Sequence, residues 1–272
     1  MRSLAAVTLI AVITMMLPAA TGAEQSDHRG RCFAREGVAP EQKLASCTAM
    51  IESGRQTRQG VVAALTSRGN LHLGNRNYDR AIDDYNKAIR LDTKYPVGFY
   101  NRGLAYLRKG RIDRAIEDFD EAIRLNPKYA KAFVNRAIAY REKAQWEFDA
   151  YLAEGRYEDL AIRDLDKAIR LDRNDAIAFH NRGFVNTRMQ RYDRAIQDFD
   201  EAIRLDPRVG SYFSSRAYAL RFVGQYERAI ADYRKALMLQ LDDASRKQIE
   251  KALKQLGVDT ERDAAPTPVT KR

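Results

Sequence analysis

Five times along the chain an arginine stands between a small polar residue and a glycine or alanine. These triplets are Ser67-Arg68-Gly69, Asn101-Arg102-Gly103, Asn135-Arg136-Ala137, Asn181-Arg182-Gly183 and Ser215-Arg216-Ala217. A guanidinium can hold a carboxylate through two parallel hydrogen bonds. An asparagine amide offers one acceptor and two donors, so it can bond a peptide backbone without reading its side chains. Each arginine has an aspartate downstream in register: Asp84, Asp118, Asp164, Asp198 and Asp232 in turn. Five such pairs read as an ionic staple within a repeated unit, each contributing about 0–1 kcal/mol if exposed. The other reactive types are sparse. His28, His72 and His180 stand far apart, and none shares a metal-ligand spacing with a cysteine or carboxylate. No serine sits in a nucleophile elbow, and no glycine-rich loop could cradle phosphate. The acidic residues recur with the unit, so choosing two as acid and base would be arbitrary. No acid, base and nucleophile converge, so the expectation is no catalytic residue, no metal, no cofactor and no enzyme.

The elements that carry the triplets are helices. The Arg-Gly and Arg-Ala pairs recur at steps of 34, 34, 46 and 34 residues, a period that marks stacked supersecondary units. Within one unit Phe99, Gly103 and Tyr106 share a helical face, Gly110 breaks the helix, Ala115, Phe119 and Ala122 repeat the spacing, and Pro127 ends it. Phe179, Gly183, Ala195, Phe199, Ala202 and Pro207 hold the same places further on. Small residues let two helices approach, and the aromatic fills the space beside them.

This pattern resembles the tetratricopeptide repeat (TPR), from residue 62 to about 243. The small–aromatic–small series reads Ala81-Tyr85-Ala88, Ala115-Phe119-Ala122, Ala195-Phe199-Ala202 and Ala229-Tyr233-Ala236, with Ala161-Leu165-Ala168 in the third unit. Thr93, Arg173 and Leu241 stand where the family usually has proline. The resemblance implies an all-α, right-handed α-solenoid with the triplets on the first helix of each unit, facing a concave groove. It further implies that Asn101, Asn135 and Asn181 form an amide ladder along an extended protein or peptide partner. Tyr100, Leu104, Lys131, Val134, Ile138, His180, Phe184 and Tyr218 would line the groove around them. Co-chaperone members hold a C-terminal carboxylate with lysines, asparagines and an arginine. Asn70, Asn101 and Lys131 match that set, but Thr66 and Asn135 replace two of its cations. Charge-assisted capture of a C-terminus is thereby weakened.

The expected organisation is a signal peptide over 1–23, a helical hairpin cap over 24–61, and repeats over 62–95, 96–129, 130–175, 176–209 and 210–243. A capping helix over 244–257 and a disordered tail over 258–272 complete it. The third step is 12 residues longer than the others. Turns near Lys143–Trp146 and Gly155–Tyr157 would frame a short extra helix near 147–153, within an insertion near 147–158. Trp146, Phe148 and Tyr151 there read as covers for helix ends or as a knob for a partner. In the capping helix, Asp243 or Ser245 is the expected N-cap and Gly257 the stop.

Residues 1–23 carry one basic residue, an apolar core from Leu4 to Leu17, Pro18 and a small-residue stretch to Ala23. This is the layout of a cleavable signal and short for a membrane span. The expectation is a periplasmic or secreted chain beginning near Glu24, with membrane anchoring through an uncleaved N-terminus as the alternative. Export places Cys32 and Cys47 in an oxidising compartment. Their spacing is too long for a redox pair, and no histidine cluster supports a metal, so a structural disulfide is expected. The formal net charge is +10. Basic and acidic residues alternate, as in Arg114–Arg124, which suits solvated helix faces better than nucleic acid. An anionic envelope polymer or membrane surface, or an envelope enzyme served as an accessory subunit, are the alternative partners.

Overall fold

The computed structural model describes residues 22–34, 36–146 and 156–258, all helices and turns. Thirteen helices are described: α1 (Gly22–Phe33), α2 (Pro40–Glu52), α3 (Arg58–Gly74), α4 (Tyr78–Leu91), α5 (Pro96–Arg108), α6 (Ile112–Leu125), α7 (Ala130–Trp146), α8 (Arg156–Leu171), α9 (Ala176–Arg188), α10 (Tyr192–Leu205), α11 (Gly210–Phe222), α12 (Tyr226–Leu237) and α13 (Asp243–Gln255). From α3 to α12 they form five antiparallel hairpins. Successive first helices (α3, α5, α7, α9, α11) also touch one another, whereas contact between second helices is at most marginal. The first helices therefore crowd the inner side of a curved stack and the second helices fan out on its back.

Each hairpin closes over one large side chain. Tyr85, Phe119, Leu165 and Phe199 are at most 1% exposed, and alanines flank each of them. A Cβ added to Gly69, Gly103 or Gly183 would lie 2.6–2.8 Å from the ring of Tyr85, Phe119 or Phe199. The glycines are thus required by the ring in the facing helix, as the spacing indicated. The turns within hairpins need a left-handed residue, supplied by Gly110 (φ 74°) and Gly224 (φ 76°) but by Arg76 (φ 59°) and Gln190 (φ 56°) in two units. Turns between hairpins do not depend on proline. The side chains of Asp92, Asn126, Asp172 and Asp206 each accept the backbone N–H two residues on, at 2.9–3.2 Å. This local bond shapes the turn whether or not proline follows, which is why Thr93 and Arg173 are tolerated.

The arginine staples differ from the exposed pairs expected. Asp84, Asp118, Asp164, Asp198 and Asp232 are buried, 3–7% exposed, beneath their guanidinium partners. Arg102 donates Nε and Nη2 to Asp118 at 2.9 and 2.6 Å, and Arg216 donates the same atoms to Asp232 at 2.7 Å each. The remaining nitrogen, Nη1, crosses to the preceding unit. It meets Asn86 from Arg102, Asp120 from Arg136, Asp166 from Arg182 and Asp200 from Arg216, at 2.5–2.7 Å. Each arginine therefore ties three helices together. Burial pushes the carboxyls of Asp118, Asp164 and Asp198 up, and their arginines pull them back.

The third hairpin absorbs part of its extra length by lengthening its helices. α7 has 17 residues against 13 in α5, and α8 has 16 against 14 in α6. Lys143–Trp146, expected as a turn, are the last turn of α7 because the helix continues past the usual break. The expected extra helix, with Phe148 and Tyr151, lies outside the described residues, as does the side chain of Trp146. Residues 1–21 of the expected signal over 1–23, and the tail from 259, also lie outside them; Gly22 and Ala23 open α1.

Both ends are closed. Cys32 on α1 and Cys47 on α2 form a disulfide with a Cα–Cα distance of 4.8 Å, and both are buried with Met50 of α2 and Ala64 of α3. At the other end α13 lays Ile249, Ala252 and Leu253 on the core of the last hairpin. Its N-cap is Asp242, one residue before the expected position, because that carboxylate accepts the N–H of Ser245 at 2.8 Å. Gly257 (φ 79°) ends it, and Val258, expected in the tail, packs on the same core.

Candidate functional site

The inner face is built from α3, α5, α7, α9 and α11, and the triplet asparagines lie on it. They are engaged with neighbouring repeats. Asn101 Nδ2 donates to Asn70 Oδ1 at 3.1 Å, and Tyr85 Oη donates to the same oxygen at 2.7 Å. Asn135 Nδ2 lies 3.1 Å from Tyr100 Oη and 2.9 Å from the carbonyl of Lys131. Asn181 Nδ2 donates to the Ile177 carbonyl at 2.8 Å, and its Oδ1 accepts from Arg141 Nη1 at 2.9 Å. Asn101 and Asn181 are buried, and only Asn135 of the three is partly exposed. The Thr66 hydroxyl donates back to the Val62 carbonyl at 2.8 Å. The amides thus join adjacent first helices, and a ligand would share them with those contacts.

Of the expected lining, Val134 is 4% exposed and belongs to the core, since it faces the second helix of its own unit. Ile138 packs partly buried against the same cluster, and Leu104 against the Phe119 cluster. Tyr100 meets Tyr129 in a tilted contact with ring centres 4.8 Å apart, while Lys131 is exposed. His180 sits between Phe199 and Tyr212, with ring centres at 5.6 and 4.8 Å, and its Nε2 lies 3.0 Å from Ser215 Oγ. Burial, with the positive charge of Arg141 nearby, pushes its pKa down to about 4. It is therefore neutral at ordinary pH.

The inner face deepens toward the C-terminal end. Between α9, α11 and α13 lies a cleft of about 730 Å³. Phe184, Tyr192 and Tyr218 give it aromatic walls, Arg188, Arg221 and Lys251 bring three cations, and serines and glutamines complete it. No carboxylate is among its lining residues. Arg141 lies at its edge, with its guanidinium 4.9 Å from the centre of the Phe184 ring. Phe184 and Tyr218 were legible in the sequence; Arg141, Arg188, Arg221 and Lys251 were not. A signal did exist: Arg141 and Arg221 occupy a register that holds Leu73, Leu107 and Thr187 in the other units. Among the described residues no group of three or more His, Cys, Asp or Glu could hold a metal ion, and no helix is long and apolar enough to cross a membrane.

Family models for the tetratricopeptide repeat match residues 66–130, 100–145, 176–209 and 211–243, and a TPR repeat model matches 149–190. No curated protein matches the chain. Among solved structures, a thermophilic TPR protein of Thermus thermophilus superposes with a TM-score of 0.60 at 22% identity, over 72% of this chain and 99% of its own. A tetratricopeptide repeat protein from Parabacteroides merdae gives 0.61 at 20% identity, over 82% and 89%. YrrB, described as a TPR protein with an unusual peptide-binding site, gives 0.53 at 21% identity, over 76% and 99%. At these identities the structures speak to the fold alone, but the repeat models span most of the chain between them, and the matches at 176–209 and 211–243 coincide with the fourth and fifth hairpins: the chain belongs to the tetratricopeptide repeat family.

Proposed function

We propose that this chain is an exported, non-catalytic scaffold that holds a protein or peptide partner against its inner face. One observation carries the reading. The inner face opens into a large cleft where aromatic rings, exposed at Tyr218 and half-buried at Phe184 and Tyr192, converge with amides and cations, a composition suited to a peptide. Asn135, the partly exposed asparagine of the triplets, adds an amide group along the approach to it. YrrB, with the same fold, has a peptide-binding site by its description, so this architecture can house one. The Cys32–Cys47 disulfide supports an oxidising compartment, and residues 1–23 supply the export signal.

The test is competition between faces. A crosslinked partner of the processed chain should be lost when Phe184 and Tyr218 are both changed to Ala. It should be retained when Gln197, exposed on the back helix α10, is changed to Ala. Equal retention by both variants, with unchanged circular dichroism, would refute the inner-face reading. Export is checked by the N-terminal mass of the chain recovered from the envelope fraction. A start near Glu24 is expected, and an intact Met1 would sink it.

A further inference from the structure

We propose that the C-terminal half of the inner face, from Arg141 to Lys251, is a docking cleft for an acidic peptide segment whose Asp or Glu side chains flank an apolar residue. This rests on the inner-face reading above and specifies the partner's chemistry.

Charge complementarity carries it. Over most of this chain acids and bases are interleaved, 47 basic residues against 37 acidic ones. The arginines at the centre of the first helices are matched to buried aspartates by paired hydrogen bonds. The cleft breaks that rule, for it gathers three cations and no carboxylate. Among the described residues Arg221 meets neutral partners, Gln255 Oε1 on α13 at 3.3 Å and the hydroxyl of Tyr233. Arg188 is braced by Glu158 at 3.0 Å, but Glu158 is not part of the cleft wall.

Arg141 is the sharpest departure. Its guanidinium is held by the Asn181 amide oxygen and the face of Phe184, and no carboxylate among the described residues pairs with it. Burial accordingly lowers its pKa; the charge of Glu142 opposes this, and that of Arg188 adds to it. A partly desolvated guanidinium with only a neutral acceptor gains most from an incoming carboxylate. Tyr218, 47% exposed, and Phe184 between these cations offer a surface for the apolar residue. The asymmetry is also a device for discrimination: a basic segment would meet like charge along the whole cleft.

The test is selection from a random peptide library displayed against the full processed chain at low ionic strength. Enriched peptides should carry net negative charge. Their affinity should fall by about tenfold or more on Arg141→Gln and on Arg221→Glu. On Arg221→Glu, the same peptides with Lys in place of Glu should regain binding. Tyr218→Ala should also weaken them, with circular dichroism unchanged in every variant. Enrichment of neutral or basic peptides that still require Tyr218 would overturn the charge assignment and leave the inner-face reading standing. Displacement by inorganic polyphosphate together with indifference to Tyr218→Ala would mean a general polyanion surface, and the proposal would fall. Enrichment of no peptide at all would bring down the inner-face reading with it.

Discussion

At the scale of single residues, the aspartates flanking the packing side chain divide their labour. In Asp118-Phe119-Asp120 the first aspartate meets the arginine of its own hairpin and the second meets the arginine of the next. Asp164-Leu165-Asp166 and Asp198-Phe199-Asp200 repeat the arrangement, and Asp84-Tyr85-Asn86 uses an amide for the second role. In the last hairpin, where no repeat follows, the second position is Arg234. The two positions should therefore respond differently to mutation. Arg102→Ala leaves Asp118 buried without its counter-charge and should cost about 3 kcal/mol. Asp120→Ala, at a half-exposed site, should cost about 1 kcal/mol or less. Urea unfolding of the two variants checks the contrast, and equal losses would refute the division.

His180 makes a second residue-scale prediction. Its native pKa lies at about 4, below the usual value of 6.5, because burial and Arg141 disfavour its charged form. Above pH 6.5 the imidazole is neutral in both folded and unfolded chains. As pH falls from 6.5 toward 4 the unfolded chain takes up a proton that the native chain resists, so stability drops across that window. The groups facing it are Arg141 on α7, Phe199 on α10, and Tyr212 and Ser215 on α11. His180→Phe should flatten the melting temperature over that window. An unchanged pH profile would show that another group is responsible.

At the scale of elements, the close approach within hairpins and the turns that follow obey different rules. The facing helix is fixed by shape, so Gly183→Val should force the Phe199 ring aside and cost about 1–3 kcal/mol. The turn is fixed by backbone conformation. Arg76 holds a left-handed φ of 59°, a conformation that costs a residue with a Cβ. Arg76→Gly should raise stability by up to about 1 kcal/mol in thermal unfolding, since glycine adopts that conformation without the Cβ clash. A loss on Arg76→Gly would show that its side chain holds the turn.

At the scale of the whole molecule, stability is a chain of neighbour contacts with two closed ends. Removal of the disulfide by a reductant should loosen α1 and α2, costing on the order of 3 kcal/mol locally while the central repeats persist. Amide exchange resolved along the chain would show this as faster exchange confined to residues 22–57. Uniform acceleration would mean that the array unfolds as one unit.

The hairpins, their period and the closely facing glycines were legible because they follow from local pattern: Gly103 and Phe119 announce each other at a fixed spacing on adjacent helices. The disulfide was legible for a different reason: the expected oxidising compartment, with no redox or metal spacing around Cys32 and Cys47. The sequence could not tell that Asp118 is buried, that Arg102 also reaches into the preceding repeat, or that Val134 turns inward. Those facts depend on how the helices rotate against one another, within a hairpin for Asp118 and Val134 and between hairpins for Arg102. Nor could it gather Arg141, Arg188, Arg221 and Lys251, which stand as far apart as α7 and α13 and become neighbours only when the stack curves. Local spacing therefore determined the brick, because helix geometry is set within a few residues. The tertiary structure alone decided the cleft and its charge, because a concave surface exists only where separate bricks meet.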